Sequence, residues 1–201
     1  MPVRALALLS LLAVAPFALA QDLADKVAGA ARAQVGVTLA YDPAYTRIPY
    51  PMGDVPAARG VCTDVVVRAY RAAGLDLQRR VHEDMRANFR AYPRNWGLRR
   101  PDPNIDHRRV PNLQRYFARH GQALPLRAQA ADYRAGDVVS WKLPNGLDHV
   151  GIVSHRRVGS GVGARPLVVH NIGAGAREED VLFAWKQTGH YRSFPKESPT
   201  L

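Results

Sequence analysis

Apolar residues recur every three or four positions through much of the first two thirds of the chain, the spacing typical of amphipathic helices. Leu23, Val27 and Val35 follow this spacing near the start. A second periodic segment opens at Cys62 and stops at Gly74, a residue type that commonly follows the last turn of a helix. The pattern predicts helices over residues 23–35, 63–73, 81–91 and 110–119.

After residue 132 the apolar residues alternate with polar ones or form short runs, as they do in strands. Residues 136–143, 149–153 and 166–171 are predicted strands, and Pro144-Asn145-Gly146 is a predicted turn. Residues 183–192 are expected to supply a last short helix and strand. Helices followed by an antiparallel sheet define an α+β fold.

Charge adds a second feature to this picture. The chain has 201 residues, 47% hydrophobic and 22% charged, which is a globular composition, and its formal net charge is +11. Residues 76–120 contain eleven arginines, no lysine and five acidic residues. This arginine-rich block is either a solvated face or a basic groove for an anionic envelope component such as peptidoglycan. Nucleic acid is a poor candidate, because the sequence has no recognition motif for it.

The first twenty residues read as a targeting segment. Arg4 precedes an apolar stretch that ends in Ala18-Leu19-Ala20, which is the pattern of a signal peptide cleaved after Ala20. A retained N-terminal anchor is the alternative. Residues 21–201 are then expected to form one exported domain, periplasmic or secreted, in which no later segment approaches the ~20 apolar residues of a membrane span.

Cys62 is the single cysteine, so no intrachain disulfide can form. A lone thiol in an exported protein is either a small buried hydrophobe or a nucleophile. Its predicted position at a helix N-terminus would stabilise a thiolate. A cysteine hydrolase also needs an imidazole as base and a polar group that orients it, and His149 and His170 lie on two neighbouring predicted strands.

Five short motifs together resemble those of the NlpC-type cell-wall cysteine peptidases, in the papain-like superfamily. In order they are Tyr50-Pro-Met-Gly, Gly60-Val-Cys62-Thr-Asp, Gly136-Asp-Val-Val, His149-Val-Gly-Ile and Val168-Val-His170. The family has a tyrosine twelve residues before its cysteine, which is the spacing from Tyr50 to Cys62. The resemblance implies a papain-like fold in which the cysteine helix packs against the antiparallel sheet.

The same resemblance assigns roles. It makes Cys62 the nucleophile, His149 the general base and His170 the third polar residue, with Tyr50 near the thiol. The Cys62 backbone N–H would help to bind an oxyanion. Asn171 is the alternative to His170, because asparagine also orients the imidazole in papain-like enzymes. The implied reaction is cleavage of an amide bond in peptidoglycan peptides through a thioacyl-enzyme, and it requires no metal or organic cofactor.

The chain also departs from the NlpC pattern. Val61-Cys62-Thr63-Asp64 stands where the family has Asp-Cys-Ser-Gly. The distance of 87 residues from Cys62 to His149 is long for the family, because the arginine-rich block is expected to be a helical insertion at about residues 76–120. These features, with the stretch Asn104-Ile-Asp-His-Arg-Arg-Val-Pro-Asn-Leu, resemble the exported bacterial family catalogued as domain of unknown function 1287, over residues 22–192. The acidic Asp64 is expected to oppose thiolate formation nearby.

Two other functions remain open. The same scaffold could carry an acyltransferase or a lipid hydrolase, or the chain could be a non-enzymatic, basic envelope-binding protein with an inactive site. The presence of Cys62, His149 and His170 favours an enzyme. Residues 106–109 are either a functional loop or the capped entry to a helix with a local ion pair.

One geometric expectation separates His170 from Asn171. A two-residue turn at Gly159-Ser160 would place His149 and His170 directly opposite each other on neighbouring strands. Adjacent residues of a strand face opposite ways, so His170 and Asn171 cannot both face His149. The sequence therefore favours His170 as the residue that orients His149.

Overall fold

The computed structural model describes residues 15–192, with side chains from residue 20 onward. Most of the predicted signal peptide, residues 1–20, lies outside the described residues. Four α-helices lie in the described part: α1 (Ala15–Arg32), α2 (Cys62–Ala72), α3 (Leu77–Ala87) and α4 (Val110–His120). No helix among these residues is both long enough and apolar enough to span a membrane.

The predicted helix over residues 81–91 begins four residues earlier, at Leu77. Asp76 explains the difference, because its side chain accepts a hydrogen bond from the backbone N–H of Arg79 at 3.2 Å and so caps the helix. The helix ends at Ala87, and residues 89–91 form a separate turn of 3₁₀-helix. The periodicity of the sequence did not separate these two segments and predicted a single helix.

The sheet is antiparallel throughout, as predicted for an α+β fold. Its six strands run in the spatial order β3-β8-β4-β5-β6-β7, and a separate parallel pair is formed by β1 and β2. The strands are β1 (Ala40–Tyr41), β2 (Arg59–Gly60), β3 (Gln122–Ala123), β4 (Val138–Lys142), β5 (Asp148–Val158), β6 (Arg165–Asn171), β7 (Ala176–Glu179) and β8 (Lys186–Arg192). Strand β7 was not predicted.

Alternate residues of the central strands enter two different cores, one on each face of the sheet. The larger core joins the sheet to the helices and includes Val27, Val66, Phe117, Val138, Val150, Ile152 and Val169. The smaller core on the opposite face includes Tyr133, Val139, Trp141, Val153, Val168 and Leu182. Burying one such aliphatic side chain is worth about 1.5–3 kcal/mol, so both faces fix the strands in place.

The predicted two-residue turn between β5 and β6 is wrong. The connection is longer and contains a 3₁₀ turn at Gly161–Gly163, and the pairing shifts between Val153 and Arg157. Near the site Ile152 pairs with Val169 and Val153 with Val168, which sets Gly151 rather than His149 opposite His170. The displacement is two residues, an even number, so His149 and His170 still share one face.

Candidate active site

Helix α2 begins at Cys62, as the sequence predicted, and the residues before it explain why. The Val61 N–H donates to Asp64 Oδ2 at 2.7 Å, so the Asp64 carboxylate reaches back over the first turn. Gly60 allows this close approach, because a Cβ at that position would lie 2.8 Å from Asp64 Oδ2. Gly60 and Asp64 together fix the backbone on either side of the cysteine.

The thiol of Cys62 is buried, with 4% of the residue exposed. Burial raises the pKa of the thiol to about 12, and the charge of Asp64 adds to the increase. The backbone N–H groups of Val150, Thr63 and Cys62 act in the opposite direction. The expectation that the helix N-terminus stabilises a thiolate is therefore outweighed by desolvation, and the resting sulfur carries its proton.

A buried ion pair holds the first turn of α2. Arg108 Nε lies 2.9 Å from Asp64 Oδ1, and Nη2 lies 3.0 Å from Oδ2, with both side chains almost fully buried. Arg108 also donates to the carbonyl oxygens of Ala44 and Asp42. The ion pair expected for residues 106–109 thus spans 44 residues and supports the cysteine helix, instead of being local.

Tyr41, not Tyr50, lies beside the thiol. Burial and the charges of Cys62 and Asp64 raise the pKa of the Tyr41 hydroxyl to about 12. Tyr50 packs edge-on against His82, with ring centroids 5.3 Å apart. The charges that act on its hydroxyl are those of four residues at the start of α3 or within it: Glu83, Asp76, Arg79 and Arg86. The twelve-residue spacing is present in the sequence, but Tyr50 packs against His82 of α3, and Cys62 is not among the charges that act on its hydroxyl, which corrects the expected place of Tyr50.

His149, His170 and Glu179 form a hydrogen-bonded chain. His149 Nε2 lies 2.9 Å from His170 Nδ1, and His170 Nε2 lies 3.0 Å from Glu179 Oε2. Both histidines are buried, whereas 40% of the Glu179 side chain is exposed. The contact of His170 with His149 is confirmed, and Glu179, on the unpredicted strand β7, is the residue that sequence reasoning missed.

The chain of hydrogen bonds fixes where the protons sit. A carboxylate only accepts, so Glu179 requires a proton on His170 Nε2. Burial lowers the pKa of His170, so the ring is neutral and its Nδ1 is an acceptor. His149 must then donate from Nε2, and its Nδ1 carries a lone pair. Burial, followed by the charge of His170, lowers the pKa of His149 to about 3, so this imidazole is neutral at rest.

Gly151 lets the two histidines meet. A Cβ on Gly151 would lie 2.6 Å from Val168 Cγ1 and 3.1 Å from His170 Cβ. Any larger residue would push β6 and the His170 ring away from His149. The glycine of the His149-Val-Gly-Ile motif is therefore a packing requirement of the histidine pair.

Asn171 was the alternative to His170 for orienting His149, but its side chain binds backbone carbonyl groups near Cys62. Its Nδ2 donates to the carbonyl oxygen of Gly60 at 2.9 Å and to that of Ala40 at 3.3 Å. These contacts tie the end of β6 to β1 and β2, immediately before Cys62. Asn171 therefore positions the backbone that leads to the cysteine.

The thiol and the imidazole adjoin through the backbone of β5. The Val150 N–H acts on the Cys62 sulfur, and Val150 directly follows His149. Within residues 20–192 no direct hydrogen bond joins the sulfur to the His149 ring; in free enzymes such contacts are often longer than in substrate complexes. The Cys62 sulfur, near the Val150 N–H, thus lies at the same end of β5 as His149, whose ring packs with that of His170 against Trp185.

A cavity of about 300 Å³ opens beside His149. Apart from His149, only Asn145 and Asp148 in its lining are polar. Its other walls are apolar or aromatic and are formed by Tyr41, Leu143, Pro144, Leu147, Ile172 and Trp185. Tyr41 connects this cavity to the neighbourhood of the thiol.

Comparison with known proteins places the chain in a family. The model of the family described as Domain of unknown function (DUF1287) matches residues 28–193. The chain belongs to the DUF1287 family. This confirms the resemblance seen in the sequence, and the matched range of the DUF1287 domain contains Cys62, His149, His170 and Glu179.

Two individual proteins illustrate the range of similarity. The protein titled "Uncharacterized protein YijF", from Escherichia coli (strain K12), is 58% identical over 170 residues, which cover 85% of this chain and 82% of that protein. The structure of NlpC1 from Trichomonas vaginalis superposes with a TM-score of 0.43 at 13% identity, over 83% of this chain and 42% of that one. This chain thus spans less than half of the NlpC1 structure, and so distant a likeness assigns no activity.

Proposed function

We propose that this DUF1287 protein is an exported cysteine hydrolase that cleaves an amide bond through a thioacyl-enzyme intermediate. The observation that carries the proposal is the chain from Glu179 through His170 to His149, which leaves a bare imidazole nitrogen at the end of β5 where Cys62 also lies. A nucleophile, a base and a group that orients the base are the parts such a reaction needs.

The reaction begins with the Cys62 thiol and the His149 imidazole both uncharged. His149 Nδ1 takes the thiol proton as the sulfur bonds to the substrate carbonyl carbon, and the Cys62 backbone N–H binds the oxyanion that forms. The carbon–nitrogen bond then breaks as His149 returns the proton to the leaving amine. Water attacks the thioester and gives a proton to His149. The carbon–sulfur bond then breaks as His149 passes this proton to the sulfur, which releases a carboxylic acid and restores the free thiol and the neutral imidazole.

His170 and Glu179 act on the charged state of His149. The imidazolium that forms during each proton transfer is desolvated, and burial alone disfavours it. The Glu179 charge favours protonated histidine, as its effect on the pKa of His170 indicates. We therefore assign His170 and Glu179 as positioning residues that stabilise the transient imidazolium.

Peptidoglycan peptides are the substrate that we favour, in the periplasm or outside the cell. Support comes from the NlpC-like motifs around Cys62 and His149, from the expected signal peptide, and from the basic residues 76–120, which suit an anionic polymer. Peptidoglycan stems carry both amide bonds and carboxylates.

A second function is favoured by the cavity beside His149. Its walls are mostly apolar, and side chains around its mouth are exposed, among them Leu147 at 61% and Ile172 at 43%. Such a surface suits an acyl chain, so the same residues would serve a lipid amidase, a lipid esterase or an acyltransferase.

The two functions are separated by their products. We expect the wild-type protein to release fragments with new amino and carboxyl ends from purified peptidoglycan, as seen by mass spectrometry, and Cys62→Ala to release none. Cysteine and alanine are both small, so the cavity cost is minor and the variant should fold. His155→Ala, a partly exposed histidine paired with Asp25, is the control that should retain full activity.

Three results would overturn the proposal. Fragment release by Cys62→Ala would remove the thiol from the mechanism. Release of fatty acid from lipids, with intact peptidoglycan, would replace the proposal by the second function. Binding to peptidoglycan without cleavage of either substrate would favour a non-enzymatic binder.

A further inference from the structure

The arginine-rich block lines a cavity that the proposed reaction does not use. This cavity has a volume of about 770 Å³ and contains four arginines: Arg47 from the loop after β1, Arg86 from α3, and Arg99 and Arg100 from the segment between α3 and α4. We call it the arginine cavity. His82, Tyr45 and Asn104 also line it.

The four arginines are exposed and form no direct pair with Asp102, the one carboxylate of the lining. In the part of the chain that the structure describes, none of their side chains forms an ion pair or a hydrogen bond, whereas Arg68, Arg108 and Arg119 each pair with an aspartate. Four like charges around one cavity repel each other. The arrangement is therefore one that a bound anion would stabilise.

Asp102, the carboxylate of the lining, is already engaged. Tyr45 Oη donates to Asp102 Oδ2 at 2.9 Å, and the backbone N–H and side-chain Nδ2 of Asn104 both donate to Oδ1 at 2.9 Å. These bonds occupy both carboxylate oxygens of Asp102. They do not involve the arginines.

The walls are fixed by further hydrogen bonds. The Ile48 N–H donates to Asn104 Oδ1 at 3.0 Å, and Gln78 Nε2, which is buried, donates to the Pro103 carbonyl at 3.1 Å. Buried Asp106 accepts from the Asp102 N–H at 2.7 Å. These bonds fix Asp102, Pro103 and Asn104 in the wall, and the exposed Arg99 and Arg100 lie just before them in the chain.

We infer that the arginine cavity binds a ligand group that carries two or more negative charges. Guanidinium groups bind phosphate and carboxylate oxygens with paired, parallel hydrogen bonds, so four of them match a polyanionic group. Such a group has two possible sources: phosphates, or carboxylates held close together. The inference does not depend on catalysis by Cys62.

The cavity lies within reach of the candidate active site. Tyr41 lies beside the Cys62 thiol, while Tyr45 and Arg47 line the arginine cavity. A fully extended chain covers at most ~3.6 Å per residue, so the Cα atoms of residues 41 and 47 are at most about 22 Å apart. One extended ligand could occupy both places.

Calorimetric titration of the full chain tests the inference. The probes are inorganic pyrophosphate and tricarballylate, each at 0.15 M salt, where weak long-range attraction is screened beyond ~8 Å. We expect at least one probe to bind the wild-type protein and to lose at least tenfold in affinity for Arg99→Gln/Arg100→Gln. Arg90→Gln/Arg127→Gln removes the same charge at exposed positions outside the cavity and should bind as the wild type does.

The outcome is decisive in either direction. Binding of pyrophosphate alone would identify phosphate as the ligand chemistry, and binding of tricarballylate alone would identify clustered carboxylates. No binding of either probe, or equal losses in both double variants, would overturn the inference. If Arg99→Gln/Arg100→Gln were to misfold by circular dichroism, Arg86→Gln on the exposed face of α3 would provide the same comparison.

Discussion

Two histidine–carboxylate systems lie on the same sheet, and they differ in what surrounds the carboxylate. In the first, Glu179 meets His170, its one ion-pair partner among the described residues, and is partly open to solvent. In the second, His190 Nε2 lies 2.7 Å from Asp137 Oδ2, and Arg192 binds the same carboxylate through Nε and Nη2 at 2.8 and 2.7 Å. Asp137 is 1% exposed.

The second system is structural. Asp137 also accepts from the Arg134 N–H, and His190 pairs with Val139 across β8 and β4 while Tyr133 stacks on its ring at 4.2 Å. Arg192 already neutralises the carboxylate. His190 Nδ1 is buried and unpartnered within the described residues, so it faces protein instead of a nucleophile.

The difference shows that a histidine beside a carboxylate is not by itself evidence of catalysis. A working imidazole needs a bare nitrogen directed towards a reactant and a carboxylate whose charge is not already cancelled. In the proposed reaction His149, with His170 and Glu179 behind it, meets both conditions, whereas the carboxylate beside His190 is already neutralised by Arg192. Three substitutions sharpen or break this comparison.

The largest effect is expected at His149. We expect His149→Ala to lower the rate of fragment release about 1,000-fold, because general-base catalysis of this kind contributes about 10²–10⁴. His155→Ala should change the rate less than twofold. A His149→Ala protein with more than a tenth of wild-type activity would contradict the role of this base.

His149→Ala should also change how the free energy of unfolding depends on pH. The folded pKa of His149 is about 3 and its unfolded value about 6.5, so unfolding takes up a proton between these pH values. Wild-type stability should fall as the pH falls through this window, by up to about 1.4 kcal/mol per pH unit from this residue. Denaturant unfolding of His149→Ala should show a shallower loss over the same range.

A smaller effect, on folding instead of turnover, is expected at Asp137. Asp137→Ala leaves Arg192 and His190 without their acceptor in a buried site, and breaking such a network costs about 3–5 kcal/mol. Urea unfolding measures the loss, and activity per folded molecule should remain near the wild-type value. Loss of turnover without loss of stability would place Asp137 in the mechanism and remove the distinction between the two systems.

The smallest effect is expected at Glu179. Glu179→Gln keeps the shape but removes the charge that raises the pKa of His170, so turnover should fall about tenfold, which corresponds to about 1.4 kcal/mol. The acid limb of the kcat/KM profile should move to lower pH, because a histidine without a nearby carboxylate is protonated less readily. An unchanged acid limb would show that Glu179 serves only to hold β7.

Local patterns were enough to predict part of this site. Periodicity located the helix that begins at Cys62, and alternation located the strands of His149 and His170. The contact between the two histidines was predicted from a hairpin with the wrong turn. The predicted contact is nevertheless present, because the true register differs from the predicted one by two residues, which keeps both side chains on one face.

The rest depends on contacts that no local pattern reveals. Strand β7 reads Ala-Arg-Glu-Glu, without apolar alternation, so its pairing with β6 and the place of Glu179 could not be foreseen. The short parallel pairing of β1 with β2 places Tyr41 opposite Gly60, two residues before Cys62, and joins segments that lie 19 residues apart. Burial, which reverses the expected effect of the helix N-terminus on Cys62, is a property of the whole fold.

The pairing of Asp64 with Arg108 has a consequence for how this protein can change. Residues 76–120 supply Leu77, Leu113 and Phe117 to the larger core, and one of their arginines also supplies the cation that the first turn of the cysteine helix requires. Replacing the segment with a short linker would leave a buried negative charge two residues from Cys62. An engineered variant that lacks the segment should therefore be more stable when Asp64 is also replaced by an uncharged residue.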